Sequence, residues 1–160
     1  SELKTQKSSE HPYMKKLKLS PEHAPDFTFI GIACHLKDYK MAFNLNSSLG
    51  LSLKRVSDFT SPDHTDRLYS FFQCYNQEER KNFMLISNHH PDGKLLPKLK
   101  NFDFFLVSDE LMATSRLETL LTKIRKTEKV LLAAKIEREK LKVYDRITSD
   151  LELHLLENKE

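Results

Sequence analysis

Apolar residues along the chain change their spacing from two to three or four and back again, and these changes mark strands and helices. Residues 27–34 (FTFIGIAC) are apolar on both faces, which predicts a central strand, and Gly31 within them indicates close approach by a neighbour. Residues 36–49 show helical spacing, with Gly50 as the C-cap. Alternation returns at residues 51–56, which completes a predicted strand–helix–strand unit.

The next part of the pattern predicts a hairpin and then a second strand that runs into a helix. Residues 67–75 and 82–87 read as two strands joined by the polar turn NQEERK. Residues 102–107 (FDFFLV) have the aromatic and β-branched composition of a buried strand. The SDE sequence that follows supplies an N-cap for a helix over residues 109–126. This strand-to-helix junction is the most specific local signal in the chain.

The last third of the chain allows alternatives. Residues 130–136 (VLLAAKI) could continue a long helix, because Ala, Leu and Lys are strong helix formers, or could form a core strand that completes a second unit. Apolar positions from residue 141 to residue 151 keep helical spacing and predict a closing helix. The tail carries more leucine than a solvated terminus should, and packing on its own domain explains this as well as dimerisation does. These residues are Leu151, Leu153, Leu155 and Leu156.

Together these elements predict a single α+β domain over residues 14–147. Two strand–helix–strand units flank an antiparallel hairpin, so helices should layer on one mostly antiparallel sheet, as in ferredoxin-like architectures. Residues 14–19 could add a short edge strand. Residues 1–13 are polar and predict a flexible basic arm, while residues 148–160 predict a C-terminal helical tail.

Composition excludes several function classes. With three glycines in 160 residues, neither of the glycine-rich phosphate-binding motifs can be written anywhere in the chain. The net charge of +3 permits an anionic partner without requiring one. Cys34 and Cys74 lie in apolar runs without a CxxC partner, which predicts two buried thiols and suits a reducing cytoplasm. No apolar stretch is long enough for a membrane span, and no signal peptide is evident, so we expect a cytoplasmic protein without membrane association.

The segment LPKLKNFDF at residues 96–104, followed by FLV, resembles the signature of an uncharacterised bacterial family, the IPExxxVDY family. Pro97 and Asp103 stand as in the signature, whereas Lys98 replaces its Glu. The other departures are Leu96 for Ile, Phe102 for Val and Phe104 for Tyr. The segments at residues 27–50 and 83–88 look similar to other blocks of the family, so the resemblance covers about residues 14–147.

The resemblance implies a small soluble protein with no assigned activity and no known catalytic residues. In the family the segment equivalent to residues 130–136 looks strand-like, which favours the strand interpretation there. Any role of the family's acid at position 98 cannot transfer to Lys98.

Asp103 is the sharpest candidate for chemistry. Period-two alternation places it on the opposite face from Phe102 and Phe104, and a buried carboxylate there must be hydrogen-bonded or ion-paired. One hypothesis is a ligand anchor or a general base in the pocket of a small enzyme. The other, which we favour, is a structural acid that satisfies the loop around Pro97 or pairs with a lysine. Pro97 and Lys98 are the accompanying anchor candidates.

The histidines and cysteines give weaker signals for a metal site or a catalytic nucleophile. Adjacent residues on a strand point to opposite sides, so His89 and His90 should not ligate one ion together. The same geometry argues against a Cys34–His35 thiolate–imidazole pair, and no GxSxG motif exists. We therefore predict no metal site, no cofactor and no catalytic residue, which favours a protein that is not an enzyme.

A series of aromatic residues at 69–75 suggests a sheet that could stack nucleic-acid bases. Its candidate residues are Tyr69, Phe71 and Tyr75, with Arg67 and Lys81 nearby in sequence. Exposed rings beside basic residues would favour RNA, whereas buried rings would be an ordinary core face.

The sequence leads to a non-catalytic cytosolic binding or assembly protein that self-associates or binds another protein. RNA binding is the alternative, and a small enzyme around Asp103 is the second alternative.

Overall fold

The computed structural model describes residues 26–61, 63–144 and 146–158. The predicted arm at residues 1–13 and the possible edge strand at residues 14–19 lie outside the described residues.

Eight strands and four helices are defined in this part of the chain. The strands are β1 (Thr28–Cys34), β2 (Lys54–Arg55), β3 (Phe59–Thr60), β4 (Leu68–Tyr69), β5 (Phe71–Asn76), β6 (Lys81–Ser87), β7 (Phe104–Ser108) and β8 (Val130–Lys135). The helices are α1 (Asp38–Leu49), α2 (Thr114–Arg125), α3 (Arg138–Leu141) and α4 (Ile147–Glu157). Two 3₁₀ turns cover Pro97–Leu99 and Lys142–Tyr144.

Six strands form one antiparallel sheet in the order β2-β5-β6-β7-β1-β8, and β3 pairs with β4 in a separate ribbon. β1 lies between β7 and β8 and is antiparallel to both, so β7 and β8 are parallel to each other and α2 connects them. The predicted α+β class is therefore confirmed, with its strand–helix–strand units β1–α1–β2 and β7–α2–β8 and its C-terminal helix.

Both faces of the sheet are covered. On one face, α1 and α2 pack on the sheet in a core that includes Leu45, Leu121 and Leu85. On the other face, α4, the β3–β4 ribbon and the 3₁₀ turn before β7 cover a second core that includes Phe105 and Leu151. The sequence predicted one layer of helices on the sheet. The second layer is needed because β1, β6 and β7 are apolar on both sides.

The prediction of a buried strand feeding a helix is confirmed for β7, all of whose residues are buried between β6 and β1. The helix begins at Thr114, later than the predicted residue 109. Asp109 does not cap it, because its carboxylate accepts hydrogen bonds from the backbone N–H and the side-chain amide of Asn82, at 2.9 and 2.7 Å. Asp109 therefore fastens the start of β6 to the end of β7.

Two predicted strands are shorter than expected. Only Lys54–Arg55 of residues 51–56 pairs in the sheet, since the Asn46 side chain takes both backbone groups of Leu53, at 2.8 and 3.2 Å. The run at residues 67–75 divides at Ser70, where the chain leaves the ribbon and enters the main sheet. No helix in the described part of the chain is both long enough and apolar enough to cross a membrane.

Candidate functional site

Asp103 lies just before β7 and ties three segments together. Its backbone N–H donates to the Ile32 carbonyl at 2.8 Å, and its own carbonyl accepts from the Asn88 N–H at 2.9 Å. Its Oδ2 accepts a hydrogen bond from the Cys34 N–H at 2.8 Å. The side chain retains 18% of its exposure. These contacts make Asp103 a structural link between the end of β1 and the start of β7.

The second carboxylate oxygen of Asp103 meets a histidine. His89 Nε2 lies 2.6 Å from Asp103 Oδ1, and His89 Nδ1 lies 2.6 Å from Lys94 Nζ. An ammonium group only donates, so Nδ1 accepts from Lys94 and Nε2–H donates to Asp103. Both ring nitrogens of His89 thus have partners within the protein.

Sequence reasoning missed this role of His89, which it considered only as a metal ligand. It lies 14 residues from Asp103 and 5 from Lys94, and no recognised motif has that spacing. Within the described residues, no group of three or more His, Cys, Asp or Glu side chains could hold a metal ion.

Pro97 and Lys98 do not converge on Asp103. Pro97 opens the 3₁₀ turn, and the backbone N–H of Lys98 donates to the Tyr144 hydroxyl at 2.7 Å. Both side chains are exposed. The Asp103 carboxylate has the Cys34 N–H and His89 as its partners instead of a lysine.

The loop around Pro97 is satisfied by Asn88, which sequence reasoning also missed. Its side-chain oxygen accepts from the Leu96 N–H at 2.8 Å, and its side-chain N–H₂ donates to the carbonyls of Leu99 and Phe102, at 3.2 and 2.9 Å. Asn88 is fully buried. The expectation that Asp103 serves this loop is corrected accordingly.

The predicted base-stacking face is not formed by the rings assigned to it. Tyr69 and Phe71 are both 0% exposed, and only Tyr75 is largely exposed, at 55%. The Tyr69 hydroxyl donates to the Gly93 carbonyl at 2.8 Å, and the Phe71 ring contacts the ring of His154 at 4.4 Å between centroids. Two of the three rings therefore belong to the core under α4 and the ribbon.

The basic residues assigned to that face are also engaged elsewhere. The Lys81 side chain is 1% exposed, and its Nζ lies 2.8 Å from Glu110 Oε2 and 3.6 Å from Glu79 Oε1. Arg67 is half-buried, and its guanidinium lies directly over Gly93. Neither cation can extend towards a phosphate backbone without leaving its packed position.

Strand β8 is the last strand on one side of the sheet. Among the described residues it pairs with β1 alone. Leu131 and Leu132 are 66% and 49% exposed, whereas Ala133 is 0% exposed. The Ile136 N–H donates inward to the Phe29 carbonyl, whereas the Ala133 carbonyl accepts from Arg125 Nε at 3.0 Å. Since these groups alternate along a strand, Ala133 and Lys135 direct their N–H and C=O groups away from β1.

A cavity of about 290 Å³ lies between the end of α1, the β5–β6 turn and α2. Its floor is apolar, and its α2 side carries hydroxyl and cationic groups. The apolar residues are Leu49, Leu51, Phe83, Met112 and Leu120. The residues on the α2 side are Ser115, Arg116, Thr119 and Lys123.

Both cysteines are free thiols. Burial raises the pKa of the Cys34 thiol, and the nearby Asp103 carboxylate raises it further against the opposing effect of a hydrogen bond at Leu36. Burial likewise raises the pKa of the Cys74 thiol. A raised pKa keeps a thiol protonated, so neither side chain is set up as a nucleophile.

A scan against protein-family models and a search of curated proteins find no match to this chain.

Proposed function

We propose that the protein is a non-catalytic assembly module that self-associates by pairing the β8 strands of two copies. The supporting observation is the open β8 edge with its two exposed leucines, since an exposed apolar edge is a template for pairing with another strand. The opposite edge provides the contrast. Strand β2 is only two residues long, and both Lys54 and Arg55 are exposed charged residues, which protect an edge against pairing.

The outward backbone groups limit the register of such a pair. Residues with outward N–H and C=O groups must face each other, and one two-fold arrangement that meets this condition places Ala133 opposite Ala133 of the second copy. This register brings Lys129 of each copy towards Glu137 of the other, and opposite charges across the pair favour it.

Arg125 opposes the association. Its guanidinium donates to the Ala133 carbonyl, and Ala133 is 0% exposed, so this residue must be uncovered before Ala133 of the second copy can pair with it. Arg125 should therefore weaken the pairing of two chains, whereas the exposed leucines should strengthen it. Substitutions at the two places should shift the monomer–dimer equilibrium in opposite directions.

Light scattering on the full chain over a range of concentrations tests the proposal. The expected mass rises from 18.8 kDa towards twice that value as concentration increases. Leu132→Lys should weaken the association, because it adds a charge to the interface, and Arg125→Ala should strengthen it. Leu111→Lys is the matched control, since Leu111 is similarly exposed, at 62%, but lies in the loop after β7. A mass of one chain at all concentrations, or equal loss in the control, would refute the proposal.

We propose a structural role for Asp103, because its carboxylate oxygens and both His89 ring nitrogens have partners within the protein. Kinship with the IPExxxVDY family stays a proposal supported by Pro97 and Asp103 in their signature positions. A cytoplasmic location is likewise a proposal, supported by the two free thiols.

A further inference from the structure

The cavity beside α2 has the dimensions and the lining of a small-ligand site. Its volume of about 290 Å³ is near the lower end of the range for ligand pockets, roughly 300–1,000 Å³. The Phe83 ring and the Met112 and Leu120 side chains offer an apolar seat. Such a space suits a compact molecule with an apolar body of limited length.

The polar groups on the α2 side form one line. Ser115, Thr119 and Lys123 follow one another at four-residue intervals, so they lie along the same face of the helix and all border the cavity. The Thr119 hydroxyl donates to the Ser115 carbonyl at 3.1 Å. The Ser115 hydroxyl and the Lys123 ammonium group are donors that an anionic oxygen can accept from.

The charges around the cavity leave one cation in excess. Glu79 Oε1 lies 2.5 Å from Arg116 Nη2 and 3.6 Å from Lys81 Nζ, and Glu110 holds Lys81 from the other side. The carboxylates of Glu79 and Glu110 thus pair with the two cations Arg116 and Lys81. Lys123 makes no ion pair with any described residue, although it borders the same space. The unbalanced positive charge beside an apolar seat favours an amphipathic anion.

We propose that this cavity binds a small amphipathic monocarboxylate. The apolar body lies against Phe83, Met112 and Leu120, and the carboxylate accepts from the Lys123 ammonium group. This site is separate from the β8 edge, and the inference does not depend on self-association.

Octanoate is the probe, and isothermal titration or amide chemical shifts of the full chain are the measurements. We expect saturable binding with shifts concentrated at residues 115–123, and roughly twofold to fivefold weaker binding of octanol, because octanol cannot form the ion pair with Lys123. Equal binding of octanol and octanoate, or the absence of saturable binding, would overturn the proposal.

Three variants locate the site. Lys123→Ala should weaken octanoate binding about threefold, and the exposed Lys126→Ala, at the end of the same helix and outside the cavity, should leave it unchanged. Thr119→Trp fills the mouth from an exposed helix position and should reduce affinity more than about tenfold. Unaltered affinity in Thr119→Trp, with its melting temperature preserved, would place binding elsewhere and refute the site.

One further variant separates this inference from the proposed assembly. Leu132→Lys should bind octanoate as the unmodified chain does, because residue 132 is not part of the cavity. If Leu132→Lys lost octanoate binding together with self-association, the ligand would belong to the interface and the cavity proposal would fail.

Discussion

Gly31 has no room for a side chain, because the ring of Phe102 lies over it. A Cβ added at Gly31 would stand 2.6 Å from two atoms of that ring. The position lies in the middle of β1, which is paired on both sides, so the backbone cannot move away easily. Residue 31 is therefore glycine because the Phe102 ring, from another segment of the chain, fills the space that a side chain would need.

Gly31→Ala should therefore lower the free energy of unfolding by about 1–3 kcal/mol, the usual range for overpacking a core. Chemical denaturation measures the loss. In a Phe102→Ala background the same substitution should add little further loss, because the clashing ring is gone. Additive losses in the double variant would contradict this explanation.

Asp150 provides a pH-dependent contribution to stability. Burial raises the pKa of this carboxyl, Arg146 lowers it, and Asp63 raises it. A folded-state pKa above the unfolded value means that the folded protein holds the proton more tightly. The ionised carboxylate thus destabilises the fold at neutral pH, and this penalty disappears as the pH falls through the raised folded-state value and then below the unfolded one.

Asp150→Asn should stabilise the protein at pH 7, since the neutral amide avoids the burial penalty of the carboxylate. The gain should shrink towards zero near pH 3, where the carboxyl is protonated in both states. Urea denaturation of both proteins at the two pH values measures the difference. An equal gain at pH 7 and pH 3 would contradict the electrostatic origin of the effect.

The needs of single residues could be predicted where the neighbouring sequence showed a clear pattern. The alternation around Asp103 identified a carboxylate that needs partners, and the apolar run around Gly31 identified a close approach. The partners themselves were not predictable. Asn88 and His89 lie in a turn-like sequence, and their hydrogen bonds depend on where the segment before β7 folds back.

The segment between β6 and β7 is an element held largely by one buried side chain. Asn88 bonds backbone groups of Leu96, Leu99 and Phe102, so it replaces the hydrogen bonds that regular secondary structure would supply. With these groups satisfied, Leu95, Leu96 and Leu99 can be buried against the second core.

Asn88→Ala should destabilise the protein by about 1–3 kcal/mol, because it leaves buried backbone groups without partners. Asn101→Ala is the matched control in the same segment, and its exposed side chain should make its effect less than about 0.5 kcal/mol. Thermal or urea denaturation measures both. Equal stability of the two variants would show that Asn88 does not organise the segment.

Element boundaries followed the sequence only where no tertiary contact competed. The end of α1 is local, since Gly50 adopts a left-handed conformation, with φ of 68°, that the sequence anticipates. The start of α2 is not local, because Asp109 binds Asn82 instead of capping the helix. The residues of β8 suit a helix or a strand, and pairing with β1 decides between them.

At the scale of the whole molecule, the C-terminal helix completes the fold. Leu151 is fully buried in the second core, and His154 packs between the rings of Phe59 and Phe71 while its Nε2 lies 2.8 Å from the Ser57 carbonyl. Leu156 is 53% exposed. Packing on its own domain thus accounts for Leu151, one of the two explanations that the leucine-rich tail allowed.

The two edges of the sheet differ, and this asymmetry is the basis of the proposed assembly. One edge is short and charged, whereas β8 offers six residues, two exposed leucines and outward backbone groups. Arg125 occupies one of those groups and should oppose the association. A two-fold pair of β8 strands would join two six-stranded sheets into one.

Amide hydrogen exchange at β8, followed residue by residue at several protein concentrations, tests this assembly most directly. The N–H group of the exposed Lys135 points away from β1, so it should become protected as concentration rises, and more readily in Arg125→Ala. The Ile136 N–H is already bonded to Phe29 and should not change. Exchange at Lys135 that is independent of concentration would contradict the account.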